Sequence, residues 1–168
     1  MKVENLIVVL ILCFFSKFDV CAQTKSENII STSKVDSLET EMMVLKAANW
    51  LENSDLDKEQ ENRKKINGIV LKWYIDNIGL NISLAEKLKT INGENGGNLM
   101  MIYFAGFSKY YIEHKTDKPK FEAQKAGLVS VMKVYKKGVE ITNSPELDRL
   151  INLTEQGKLD EYVKDNFE

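Results

Sequence analysis

The stretch "NGENGGNLMMIYFAGF", residues 92 to 107, decides the fold. It carries Gly93, Gly96 and Gly97 straight into Leu99 to Phe107, nine residues without a charge. Three readings compete: a phosphate cradle, a membrane span, or the buried centre of a helical core. A Walker-type loop needs a strand before it and a Lys-Ser or Lys-Thr pair after it, so that backbone amides and an ammonium meet the phosphates. Here a helical pattern precedes the glycines, Asn98 and Leu99 follow them, and the G-x-G-x-x-G spacing is missing. A span fails because Ser108, Lys109, Glu113 and His114 follow at once. What remains is a helix apolar on every side, which belongs at the centre of a larger bundle. The glycines then read as a helix C-cap and reversal, with Asn98 capping the next helix. Gly106 inside that helix costs about 1 kcal/mol of propensity, which a close helix crossing would explain.

Around this hub the chain reads as helices. "SKVDSLETEMMVLKAANWLENS" sets Val35, Leu38, Met42, Leu45 and Ala48 at three-and-four spacing behind Ser33 as N-cap. The next segment starts at Asp55 or Asp57 and ends at Gly79, with Glu59–Arg63 and Glu61–Lys65 as i,i+4 pairs on a solvated face. "SLAEKLKTI" opens on an S-x-x-E capping box, Ser83 with Glu86. After the hub, Asp117 and Pro119 start a helix whose Phe121, Leu128, Val131, Met132 and Tyr135 face inward and which Gly138 closes. Ser144 and Pro145 start a short helix through Leu147, Leu150 and Ile151, closed by Gly157, and Leu159, Tyr162, Val163 and Phe167 mark a last one. The expected fold is all-α, a compact bundle of about six or seven helices around the apolar helix at residues 98–114. Gly79-Leu80-Asn81-Ile82-Ser83 and Gly138-Val139-Glu140-Ile141-Thr142 share a pattern that either duplication or chance explains.

The first residues bear on location. Lys2 precedes the apolar run Leu6 to Phe15, and "VCAQT" follows with Val20 and Ala22 as small-residue determinants. This reads as a signal peptide over residues 1–22, cleaved between Ala22 and Gln23, then a flexible leader over 23–32 and one helical domain over 33–168. A retained anchor is the competing reading, but the run falls short of the roughly 18 to 20 residues that span a bilayer. A lipoprotein signal at Cys21 is a third, against which Asp19 and Val20 stand. The expected location is periplasmic or extracellular, with no stable membrane span after cleavage. Both cysteines, Cys13 and Cys21, fall in the removed segment. The mature chain is then cysteine-free, without disulfide, thiolate metal site or cysteine nucleophile, and must be held by core packing.

A net charge of −2 with both signs interspersed gives no reason to expect nucleic acid as partner. His114 is the only histidine, so a triad or a histidine-rich metal site is excluded, and the expectation is that it sits as a cation at a helix C-terminus, with a metal or catalytic role as the competing reading. No cofactor and no metal are called for, and no nucleophile, base or phosphate loop is marked. Trp50, Trp73, Tyr103, Tyr110, Tyr111 and Tyr135 fall on inward or shoulder positions of four helices. They either line a groove for a peptide, glycan or apolar ligand or fill the core with polar tips at its rim.

The segments "KAANWLENSDLDKEQENR", "LKWYIDN", "NLMMIYFAGFSKYYIEHK", "GLVSVMKVYKKG" and "LDRLINLTEQGKLDEYV" together resemble a group of small exported helical proteins of Bacteroidota. The resemblance implies an exported all-helical chain and brings no activity or catalytic residue with it. The functional expectation is an exported domain without enzymatic chemistry that binds a partner protein or small ligand. The alternative is a small secreted hydrolase working through two paired carboxylates.

Overall fold

The computed structural model describes the backbone of residues 29–115 and 120–167 and the side chains from residue 37 onward. The signal segment, its cleavage point at Ala22 and Gln23, both cysteines, and the Asp117 and Pro119 helix start lie outside those residues. Seven α-helices run through the described chain: α1 Ile29–Asn53, α2 Gln60–Asn77, α3 Ile82–Asn92, α4 Gly96–Glu113, α5 Lys120–Tyr135, α6 Pro145–Glu155 and α7 Leu159–Phe167. One 3-10 turn, Gly93–Asn95, joins α3 to α4. Contacts divide the chain into residues 1–38 and 39–168. Of the first unit only the helical backbone of 29–38 and the exposed side chains of Ser37 and Leu38 are described, so residues 29–32 of the expected leader belong to α1.

The second unit is built around α4, as its sequence requires. Leu99, Ile102, Tyr103, Phe104, Ala105 and Phe107 are buried from one side of the helix to the other. Against them pack α2, α3 and, most extensively, α5, while α6 and α7 close the other side of α5. Aromatic edges lock the centre: the Tyr74 ring lies 4.5 Å from Phe104 and 5.2 Å from Phe107.

The α4–α5 crossing is close enough to require glycine on both helices. A Cβ on Gly106 would lie 2.2 Å from Ser130 Oγ, and one on Gly127 would lie 2.7 Å from two carbons of the Tyr103 ring. Beside the crossing a buried carboxylate ties in α1. Glu52 accepts from Ser130 Oγ at 2.6 Å, Lys133 and Lys109 approach its other oxygen at 3.5 and 3.9 Å, and Lys137 Nζ donates to its backbone carbonyl at 2.8 Å. A carboxylate in the interior needs such company, because removing it from water unpaired would cost several kcal/mol.

Several local expectations shift. On α1 the buried residues are Val44, Ala47, Ala48, Leu51 and Glu52. Ala48 of the expected stripe is buried and Leu45 partly so, but Leu38 and Met42 are half exposed or more, so the inward face is rotated off the centre of that stripe. Helix α2 starts at Gln60 behind Glu59, which holds a left-handed φ of 47°, and neither Asp55 nor Asp57 caps it. Arg63 does not pair with Glu59. It is 3% exposed, donates to the carbonyls of Ser54 and Asp55 at 3.2 and 2.7 Å, and lies 5.1 Å over the Trp50 ring. Burial pulls its guanidinium below the usual value, and Asp55 and Asp57 oppose that pull. Glu61 bonds Lys64, one residue short of the expected Lys65. Asn81 caps α3 in place of Ser83, accepting from Leu84 N at 3.2 Å. Gly93, with φ 57°, ends α3, whereas Gly96 and Gly97 already belong to α4, whose N-cap is Asn95 and not Asn98.

Other expectations stand as read. Ser144 caps α6 with Pro145 behind it, and its Oγ also donates to Ile91 O at 2.8 Å. Gly79 and Gly138 both hold positive φ, 88° and 70°. The likeness of the two flanking segments stops there: Asn81 starts α3 two residues after Gly79, while Ser144 starts α6 six residues after Gly138. Among the described residues there is no strand, and no helix is long and apolar enough to cross a membrane.

Candidate functional site

Gly79, Leu80 and Asn81 join α2 to α3, and this turn lines a common space with the first residues of α5 and the C-terminus of α7. Between them lies a cleft of about 430 Å³. Its apolar wall is Tyr74, Ile78, Leu84 and Phe167, and its polar wall is Ser83, Lys87, Lys120, Gln124 and Asp165.

The polar groups fall into two sets. Lys87 Nζ donates to Asn166 O and lies 5.4 Å over the Phe167 ring, so it secures the end of α7. Gln124, 4% exposed, does the same work through Nε2, which donates to Phe167 O at 3.0 Å. Its Oε1 has no hydrogen-bond partner among the described residues, and the residue lines the cleft. Lys120, Asp165 and Ser83 likewise form no side-chain hydrogen bond or ion pair there.

Tyr74 on the apolar wall has its hydroxyl pushed up to about 12 by burial. Behind it Tyr103 is raised well above its ordinary value, again by burial first and then by Tyr74, and its hydroxyl has no hydrogen-bond partner among the described residues. Tyr162 is pushed up to about 12 by burial, with Glu146 adding to it. These three favour the neutral phenol in the fold, so what they contribute to stability is complete below about pH 10, and for Tyr74 and Tyr162 it is lost as pH rises toward about 12. Tyrosinate absorbance is therefore expected to rise in two stages on alkaline titration, the second accompanied by loss of helical circular dichroism. A single stage near pH 10 with the helices intact would contradict it.

The six aromatic residues singled out in the sequence do not share one groove. Trp73 and Tyr111 come together, ring centres 6.3 Å apart and edge-on, in a recess of about 210 Å³ with Asn77, Ile112 and a Glu41–Lys115 ion pair. Tyr103 is wholly inside the core. Trp50 lies under Arg63, and Tyr110 stacks on His114 at 4.0 Å. Tyr135 pins the α5–α6 connection: its hydroxyl accepts from Ser144 N at 2.9 Å and reaches Asn143 Oδ1 and Asp148 Oδ1 at 2.9 and 3.0 Å. His114 ends α4, its Nδ1 2.9 Å from Tyr110 O, where the sequence put it. Among the described residues no group of three His, Cys, Asp or Glu side chains is arranged to hold a metal.

Sequence reasoning missed the cleft, because its walls come from three separate segments, within 74–87, 120–124 and 165–167, and no single segment marks it. One signal was available. Lys120 in the first turn of a helix and Asp165 in the last turn of another both run against the helix dipole. No protein-family model, no curated protein and no solved structure matches this chain.

Proposed function

We propose that this chain is an exported helical domain that binds a small ligand in the cleft between the α2–α3 turn and the ends of α5 and α7, without chemistry of its own. The observation that carries the reading is the cleft itself. About 430 Å³ lies within the range of roughly 300–1,000 Å³ typical of small-molecule sites, and half-apolar walls with a few unpartnered polar groups are what such sites use. Export is supported by Lys2, the apolar run Leu6 to Phe15 and the small residues before Gln23.

A paired-carboxylate hydrolase finds less support. The cleft brings one carboxylate to its wall, Asp165, and the second recess brings Glu41, which is engaged with Lys115. Acid–base chemistry on a glycosidic bond needs two carboxylates facing each other across the substrate.

Saturation-transfer NMR of the protein recovered after export, against a broad set of small metabolites, tests the reading. Ser83 is exposed and lines the cleft, so Ser83→Trp should fill the space while leaving the core alone. Ligands that bind the parent protein are expected to be lost in this variant, and the intact mass of the preparation should begin at Gln23. Hits that survive Ser83→Trp would remove the cleft from the account, and turnover of a hit would remove the non-enzymatic reading.

A further inference from the structure

Two charges on the cleft wall sit where their own helices disfavour them. Lys120 lies in the first described turn of α5, toward the positive end of its dipole, and Asp165 lies in the last turn of α7, at the negative end. Neither is compensated by a partner among the described residues, although the two line the same cleft. Nearby charges are treated differently: Lys125 pairs with both Asp160 and Glu122, and Arg149 with Glu146. A position that breaks a local rule without local compensation is where function is to be sought.

We propose that the cleft holds a small zwitterion, an α-ammonium carboxylate with an apolar side chain, such as a free amino acid or a dipeptide. This rests on the cleft reading above and names its ligand. The ligand carboxylate meets the Lys120 ammonium, and its ammonium meets the Asp165 carboxylate. The Ser83 hydroxyl and the Gln124 amide oxygen supply further hydrogen bonds, and the side chain lies against Tyr74, Ile78, Leu84 and Phe167. The helix ends agree with this orientation, since a carboxylate is favoured near the start of α5 and an ammonium near the end of α7. Lys87 adds a second ammonium to the lining, but it is engaged with Asn166 O and the Phe167 ring. A simple anion would still leave Asp165 facing a like charge, and a simple cation would face both Lys120 and Lys87.

Calorimetric titration at low salt with leucine, leucyl-leucine, N-acetylleucine and leucinamide tests it. One of the two zwitterions is expected to bind, with each singly charged analogue weaker by roughly tenfold or more, the usual scale for losing a charge pair in a partly enclosed site. Which zwitterion binds reports the spacing between the two charges. Lys120→Glu and Asp165→Lys should each weaken that binding by a similar factor while melting no lower than the parent, because each new charge suits its helix end. Equal affinity for a blocked analogue, no binding by either zwitterion, or unchanged affinity in both variants would overturn the proposal. A ligand that is lost in Ser83→Trp yet indifferent to both charge changes would leave the cleft reading standing and remove only the zwitterion.

Discussion

Phe104→Ala is expected to lower the free energy of unfolding by about 3–5 kcal/mol, the range for deleting a buried aromatic ring. Phe104 is 3% exposed at the middle of α4. Its ring meets Tyr74 at 4.5 Å and Tyr103 at 5.9 Å, so truncation removes contacts on two sides at once. Neither neighbour can slide in to fill the gap, since Tyr74 is also edge-on to Phe107 and Tyr103 is held against Gly127. That loss is a large fraction of the roughly 5–15 kcal/mol that stabilises an ordinary domain. Gly96→Ala provides the contrast on the same helix. Gly96 has helical angles, φ −38° and ψ −55°, and open space where a Cβ would stand. Alanine there should stabilise by about 0.5–1 kcal/mol by restricting the unfolded chain. Denaturant melts of both variants measure the difference. A near-neutral Phe104→Ala, or a Gly96→Ala that costs as much, would mean that the glycines and not the apolar run carry the structure of this stretch.

The hub was legible because nothing in Leu99 to Phe107 offers a polar face, so no rotation of the helix can put it at the surface. Helix α1 was misread for the converse reason. "EMMVLKAANWL" is apolar on more than one side, and both Leu38-Met42-Leu45 and Val44-Ala47-Leu51 satisfy helical spacing. The structure buries the second set together with Ala48, the one fully buried member of the expected stripe among the described side chains. Caps were misplaced by two to four residues at α2, α3 and α4, as at Asn81 and Ser83, because several polar candidates lie close together there, each is competent, and tertiary packing chooses between them. Arg63 was legible as a charge but not as a buried one. Its acceptors are backbone carbonyls eight and nine residues earlier, which no side-chain pairing rule describes. The aromatic set failed as a groove because helical position fixes only how far a ring points inward. It does not fix which neighbour the ring meets, and Trp73 with Tyr111 is the one pair of those six that a shared recess brings together.

Gly106→Ala should destabilise even though alanine is worth about 1 kcal/mol more than glycine in a helix interior. The added Cβ would stand 2.2 Å from Ser130 Oγ, 2.7 Å from Ser130 Cβ and 2.9 Å from the carbonyl oxygen of Ala126. The hydroxyl cannot swing away freely, because it donates to Glu52 at 2.6 Å in the interior, and releasing it would leave that carboxylate with distant lysines as its only side-chain partners. The carbonyl belongs to helix backbone and moves only if α5 moves. Relief therefore requires the two most extensively packed helices to separate, and overpacking of this kind costs about 1–3 kcal/mol and at times more. A double-mutant cycle assigns the cause. In a Ser130→Gly background both side-chain clashes disappear while the approach to the Ala126 carbonyl stays, so the cost of Gly106→Ala should shrink by an interaction energy of about 0.5–3 kcal/mol. An undiminished cost in that background would place the strain on the Ala126 backbone, and no cost in either background would show that α4 and α5 do not cross as closely as the two facing glycines require.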